Sequence, residues 1–280
     1  TAEVIPLVGA KPYFVDVDKE NFNISPKNIK NAISELKSQG KNIRGIISVD
    51  LFGLPVDYED ISNIAKENNL FFISDGAQSF GSKFQDKPSL SIADISTTSF
   101  FPTKPLGCFG DGGAIFVQSD ELSDKIRSIC VHGKGKNKYD NIRFGVNSRL
   151  DTIQAAVLIR KLGNLTELNN KRKAIGRIYN KNINNKKIIK LNYSNGAVYH
   201  QYVILCKNRN KLIDRLKNNN IEYNFHYPKS INQLDSLKKF FKKQKYQNSE
   251  KIASEGLSLP IDPNLKKSDI NKIIKVLNSF

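Results

Sequence analysis

Two short stretches of this sequence carry side chains spaced for chemistry. In Asp75-Gly-Ala-Gln78 a carboxylate and a carboxamide stand three residues apart; in Ser99-Phe-Phe-Pro-Thr-Lys104 a hydroxyl precedes an amine by five. The lysine lies between Pro102 and Pro105, with Gly107, Gly110, Gly112 and Gly113 after it. A residue before proline is driven from helical toward extended backbone. Phe101 and Lys104 are both restricted in this way, so Lys104 is not expected on a solvated helix face. The glycines let backbone turn tightly or approach a ligand. An amine with little water around it has a lowered pKa and serves as a nucleophile or Schiff-base former. Taken alone, the stretch also reads as a surface lysine in a Pro/Gly turn.

The elements around these stretches suggest how they are positioned. Gly45–Asp50, Leu70–Asp75, Ile92–Ser99 and Ala114–Val117 are apolar, β-branched runs of strand length. Between them, Ser25-Pro26 starts a helix carrying Ile29, Ile33 and Leu36, and Asp57 caps one carrying Ile61, Ile64 and Ala65. Alternating strands and helices predict a mostly parallel sheet with crossover helices. Ligands of such sheets bind beyond the carboxyl ends of the strands, where Asp75 and Ser99 both fall. Lys11–Asp18 has the content of a further strand, and Asp120 is placed to cap a helix through Ile129.

Residues 131–149 form a loop region rich in Gly, Asn and Arg, the kind of segment that carries binding residues on a rigid scaffold. Asp151-Thr-Ile-Gln154 reads as a capping box, opening a long helix that continues past Gly163 as a second segment to about Asn180. Polar Asn182–Asn195 follows as a junction. The remainder predicts a strand at Tyr199–Leu205, a helix at Asn210–Asn219, an extended segment ending in His226-Tyr-Pro228, a strand at Leu257–Pro260 and a last helix capped by Ser268. This gives a larger unit over 1–180, including the connecting helix, and a smaller α/β unit over 181–280. There are no internal repeats.

A chain of 280 residues buries a substantial core. No apolar run approaches the ~20 residues that span a bilayer, and the start lacks the basic-then-apolar pattern of a signal peptide. Three cysteines without paired spacing argue against a disulfide framework or a zinc site, and no metal is expected. A cytoplasmic protein is the simplest expectation. The net charge of +17 invites a nucleic-acid reading, but the lysines are dispersed among Asn and Ile, and the densest run, Lys238–Lys245, is short. Solvated lysines in a biased composition, compatible with an anionic small substrate, account for it better.

A Schiff-base lysine working with pyridoxal phosphate needs a carboxylate at the pyridine nitrogen to keep the ring an electron sink. Asp75, ending a buried strand upstream of Lys104, fits that need. Ser99 can offer a hydroxyl to the cofactor phosphate, and Gln78 can meet the ring face or its hydroxyl. Singly, each has an ordinary use: a turn-capping aspartate, a strand-end hydroxyl, a loop glutamine. Together, Asp-x2-Gln after one strand and Ser-x4-Lys after a later one form a specific constellation.

Ordered motifs run along nearly the whole chain: Gly9-Ala-Lys-Pro12 with Phe14-Val-Asp-Val-Asp18, Asp75-Gly-Ala-Gln-Ser79, Ser99–Lys104, Gly110-Asp-Gly-Gly-Ala114, Val131-His-Gly133, Asn147–Ala156, His226-Tyr-Pro228 and Leu257-Ser-Leu-Pro260. On these the sequence resembles the DegT/DnrJ/EryC1/StrS family of pyridoxal-phosphate sugar aminotransferases. Within it, the lysine stretch and Asn147-Ser-Arg-Leu-Asp151 are most similar to enzymes that aminate UDP-2-acetamido-2-deoxy-3-oxo-glucuronate.

The resemblance implies an aspartate-aminotransferase-like fold (fold type I), a homodimer with active sites at the interface, and L-glutamate as amino donor. It implies that Lys104 is the Schiff-base lysine and proton carrier. Asp75 would pair with the pyridine nitrogen, Gln78 lie by the ring, Ser99 bind the phosphate, and Asn147 reach the phosphate of the partner subunit's site. Arg149, His226 and Tyr227 would line the nucleotide-sugar pocket. Surface polysaccharide synthesis is the expected setting, without nucleic-acid or membrane partners. Alternatives are C4 amination of a 4-keto-6-deoxy sugar and a non-catalytic regulatory or binding relative. A sibling dehydratase, with histidine in place of the lysine, is disfavoured by Lys104. Family members carry a further N-terminal segment with a Gly-Thr-x-Ala-type turn gripping the phosphate. No such turn occurs here, so a fragment or a lost element is expected, with consequences for cofactor and dimer contacts.

Overall fold

The structure, a computed structural model, describes residues 1–137, 139–241 and 246–280. Residues 242–245 of the lysine-rich run therefore lie outside the described residues. A one-turn helix α1 (Val4–Leu7) leads to extended backbone, then α2 (Pro26–Ser38), β1 (Gly45–Val49), α3 (Tyr58–Glu67), β2 (Phe71–Asp75), a small hairpin β3 (Lys83–Phe84) and β4 (Lys87–Pro88), β5 (Ile95–Ser99), β6 (Gly113–Val117), α4 (Asp120–Cys130) and α5 (Thr152–Asn182). There follow β7 (Ile188–Lys190), β8 (Tyr202–Cys206), α6 (Arg209–Asn218), α7 (Gln247–Glu255), β9 (Gly256–Leu259) and α8 (Lys267–Asn278).

The main sheet runs β1-β2-β5-β6, with β1, β2 and β5 parallel and β6 antiparallel. Its fold is that of an α/β protein with a mostly parallel sheet. Val49 pairs with Asp75 and Asp75 with Thr97, so the carboxyl ends of three strands lie side by side. Helices α2 and α3 cover the sheet with Ile29, Ile33, Ile61 and Ile64 against Ile46 and Phe72. Each such fully buried side chain stabilises the fold by about 1.5–3 kcal/mol. Ser25 caps α2 by accepting from Asn28 N, and Asp57 caps α3 by accepting from Asp60 N at 3.0 Å. A second, antiparallel sheet, β7-β8-β9, is buried against α5, α6 and α8 through Tyr179, Tyr202, Leu212 and Leu277. No helix among the described residues is long and apolar enough to cross a membrane.

Several local expectations are corrected. Residues 11–18 make no strand, only a bridge from Val17 to Ile24, because Asp16 is committed to Ser249 and to the backbone of Asn248. Ser119, not Asp120, caps α4. Asp151 makes no side-chain cap bond, so no capping box forms; Gln154 instead accepts Phe109 N at 2.8 Å. Helix α5 passes Gly163 without a break, as one element of 31 residues. The last helix starts at Lys267, and Ser268 lies inside it with no cap bond.

Candidate active site

The Lys104 loop is held before it is used. Lys104 N donates to Phe101 O at 2.9 Å and Cys108 N to Phe100 O at 2.8 Å, folding the segment onto the end of β5. Phe100, Leu106 and Cys108 pack on Leu158 and Leu165 of α5. From the same helix Lys161 Nζ donates to Gly107 O at 2.7 Å. Any Cβ at Gly107 would lie 2.4 Å from Pro102 O, so only glycine closes this turn without displacing the backbone. The amine is half-buried, and that desolvation lowers its pKa, while the charge of Asp75 opposes the shift.

Asp75, Gln78, Ser99, Lys104, His226 and Tyr227 line one cavity of about 1540 Å³. Asp75 ends β2; its Oδ1 accepts Ala77 N at 3.0 Å and its Oδ2 accepts the Thr1 hydroxyl. Ser99 Oγ accepts Phe101 N at 3.2 Å, which leaves its proton available to a ligand oxygen. Gln78 is buried: its Oε1 accepts Phe52 N at 2.6 Å, and its Nε2 donates to the Tyr227 hydroxyl at 2.8 Å. His226 Nδ1 lies 2.8 Å from Ser258 Oγ. Burial, reinforced by Lys104, lowers the His226 pKa. Burial raises that of Tyr227 and the charge of Asp75 adds to the rise, against the pull of the Gln78 hydrogen bond.

Asn147 and Arg149 are exposed and do not line this cavity; Arg149 Nε donates to Asn147 Oδ1 at 3.1 Å. Around them Ile142, Phe144 and Val146 present apolar side chains to solvent, Phe144 entirely so.

Three features had little or no signal in the sequence. Phe52 adopts a left-handed φ of 61°, costly for an aromatic residue, and packs its turn on residues 198–201 through Val198 N to Gly53 O and Gln201 N to Phe52 O. His200 is pushed down to about 3 by burial first, then by the charges of Lys104, Arg172 and His226. Asp50, 0 % exposed at the end of β1, accepts Val56 N and Tyr58 OH at 3.0 Å each and Ser79 Oγ at 2.7 Å. Burial pushes it up to about 6, the three donors act against that, and Asp75 adds to it. A polar residue closing an apolar strand was the available signal for Asp50. Nothing marked the other two.

A carboxylate, a desolvated amine and a hydroxyl facing one cavity fit pyridoxal phosphate in donor type: an acceptor for a ring N–H, an amine for its carbonyl, a donor for its phosphate. Comparison with known proteins agrees. The sequence profile of the DegT/DnrJ/EryC1/StrS aminotransferase family matches residues 1–278. The UDP-2-acetamido-2-deoxy-3-oxo-D-glucuronate aminotransferase of Pseudomonas aeruginosa is 38% identical over 283 residues, covering 100% of this chain and 76% of that protein. A DegT DnrJ EryC1 StrS aminotransferase from Brucella abortus superposes with a TM-score of 0.96 at 40% identity, over 100% of this chain and 76% of that one. S. venezuelae DesV, solved in complex with a ketimine intermediate, superposes with a TM-score of 0.92 at 26% identity, over 99% and 74%.

Proposed function

The chain belongs to the DegT/DnrJ/EryC1/StrS aminotransferase family, and from that premise we propose that it moves an amino group from L-glutamate onto the keto carbon of UDP-2-acetamido-2-deoxy-3-oxo-glucuronate, for surface polysaccharide synthesis. It is a pyridoxal-phosphate-dependent sugar transaminase of fold type I. The observation that carries the residue assignment is the shared cavity of Asp75, Ser99 and Lys104.

In this reading Lys104, Asp75, Gln78 and Ser99 hold the cofactor, joined by Asn147 of a second subunit. Bound pyridoxal phosphate supplies an electron sink for the pair left when a C–H proton departs. Asp75, which lines the cavity, would accept from the cofactor's ring N–H and so keep a proton there. Lys104 Nζ is the base that takes the C–H proton and returns it. Its desolvation matters because an ammonium cannot accept a proton. Tyr227, oriented by Gln78, and His226, oriented by Ser258, face the sugar side of the cavity.

A homodimer is part of the same proposal, with Arg149 reaching the substrate of the neighbouring subunit. The exposed Ile142, Phe144 and Val146, close in sequence to Asn147 and Arg149, support it, since exposed apolar patches mark interaction surfaces. The division near residue 180 is supported by the separate antiparallel sheet β7-β8-β9.

The test is turnover of a panel of UDP- and dTDP-linked keto sugars with glutamate. Amination of the 3-oxo-glucuronate is expected. Turnover of 4-keto-6-deoxy sugars alone would contradict the substrate assignment.

A further inference from the structure

One fully buried carboxylate has no part in the mechanism above. Asp50 follows β1 as Asp75 ends β2, and Asp50 N donates to Asp75 O at 3.0 Å. Its side chain gathers donors from three places: Val56 N before α3, the Tyr58 hydroxyl on α3, and Ser79 Oγ. Ser79 closes the turn that Asp75 opens, with Ser79 N on Gly76 O at 3.0 Å. Tyr58 OH is also 2.6 Å from Ser74 Oγ, on the residue before Asp75. Asp50 is therefore bonded directly to the Ser79 end of the Asp75 turn and, through Tyr58, to Ser74 just before it.

We propose that Asp50 is a positioning residue for Asp75: it fixes the 75–79 turn through Ser79 and places a second negative charge behind the carboxylate that receives the cofactor's ring nitrogen. The inference rests on the reading of Asp75 given above. Three hydrogen bonds offset the burial of this carboxylate, and burial makes its charge act over a longer range than it would in water. The titratable groups facing it are Asp75 from β2 and Tyr58 from α3. Tyr58 is driven far above the physiological range by burial and by Asp50 itself, so it stays a neutral donor. Burial holds the Asp50 pKa up at about 6, and cofactor affinity is expected to follow its ionisation. With Asp50 ionised the ring N–H is held more tightly; with Asp50 protonated that help is lost.

The experiment measures pyridoxal-phosphate affinity of the purified protein from pH 5 to 8, by absorbance titration, for the wild type, Asp50→Asn and Tyr58→Phe. Thermal unfolding of each apoprotein is recorded alongside. In Asp50→Asn, affinity at pH 7.5 is expected to fall by about tenfold, the worth of one pK unit of differential charge interaction. The wild-type loss of affinity between pH 7 and 5 is expected to become shallower. Tyr58→Phe removes one donor but keeps the carboxylate, so the affinity step is expected to move to higher pH. Unchanged affinity and pH profile in a folded Asp50→Asn protein would overturn the proposal, as would a lower melting temperature with the profile intact. Should Asp50→Asn not fold, an unshifted step in Tyr58→Phe would overturn it equally. A wild type that binds no pyridoxal phosphate at any pH would overturn the underlying reading of Lys104 and Asp75 instead.

Discussion

Gln78 Nε2 donates to the Tyr227 hydroxyl at 2.8 Å, joining the turn after β2 to a segment 149 residues further along. The other end of the same amide accepts Phe52 N at 2.6 Å. One buried side chain thus ties a left-handed turn after β1 to the His226-Tyr-Pro228 wall of the cavity. Replacing Gln78 by Leu leaves the Phe52 N–H without an acceptor, and a buried orphan costs about 1–3 kcal/mol. Tyr227→Phe leaves Gln78 bonded to Phe52 and is expected to cost about 0.5–1.5 kcal/mol. Urea unfolding of the two variants checks the order.

The lysine loop depends on Gly107 for sterics. A methyl group there meets Pro102 O at 2.4 Å, and backbone cannot rotate away as a side chain does. Gly107→Ala is expected to shift Lys104 and lower kcat by roughly tenfold to a hundredfold, since a misplacement of about 1 Å has that effect. KM for the sugar should change far less. Steady-state kinetics of both parameters separates the outcomes.

His200 carries a pH dependence of stability. Its folded-state pKa, about 3, lies below its ordinary value of 6.5, so the unfolded chain binds more protons across that interval. The stability it contributes is fully present above about pH 6.5 and is lost progressively as pH falls toward 3. His200→Gln cannot take up this proton, and its unfolding free energy should decline less steeply than the wild type's between pH 7 and 4. Denaturant titrations at several pH values measure the two slopes.

The surface around Phe144 makes a prediction about assembly. Phe144 is wholly exposed beside Ile142 and Val146, and a charge there cannot be buried without a partner. Wild-type protein is expected to sediment as a dimer and Phe144→Glu as a monomer with weakened cofactor affinity. Analytical ultracentrifugation at matched concentrations decides it.

Much of this was legible in the sequence because it rests on local rules. Ser25 and Asp57 cap their helices since a short acceptor followed by helical periodicity has few other uses. Asp75 and Ser99 end strands because the apolar runs before them end there. What failed depended on partners distant in the chain. Gln154 was spaced for a capping box, but an N–H 45 residues away claimed it. Residues 11–18 had strand composition without a neighbouring strand, while Asp16 was held by residues 248 and 249. The electrostatics of Asp50 and His200 arise from burial and from neighbours that only the fold brings near.

The central claim is that Lys104 is the residue to which the cofactor attaches. The most direct measurement is borohydride reduction of the protein with pyridoxal phosphate, followed by peptide mass analysis. The account predicts one pyridoxyl group, on Lys104, and none in Lys104→Ala. A label on a different lysine, or equal labelling of Lys104→Ala, would contradict it.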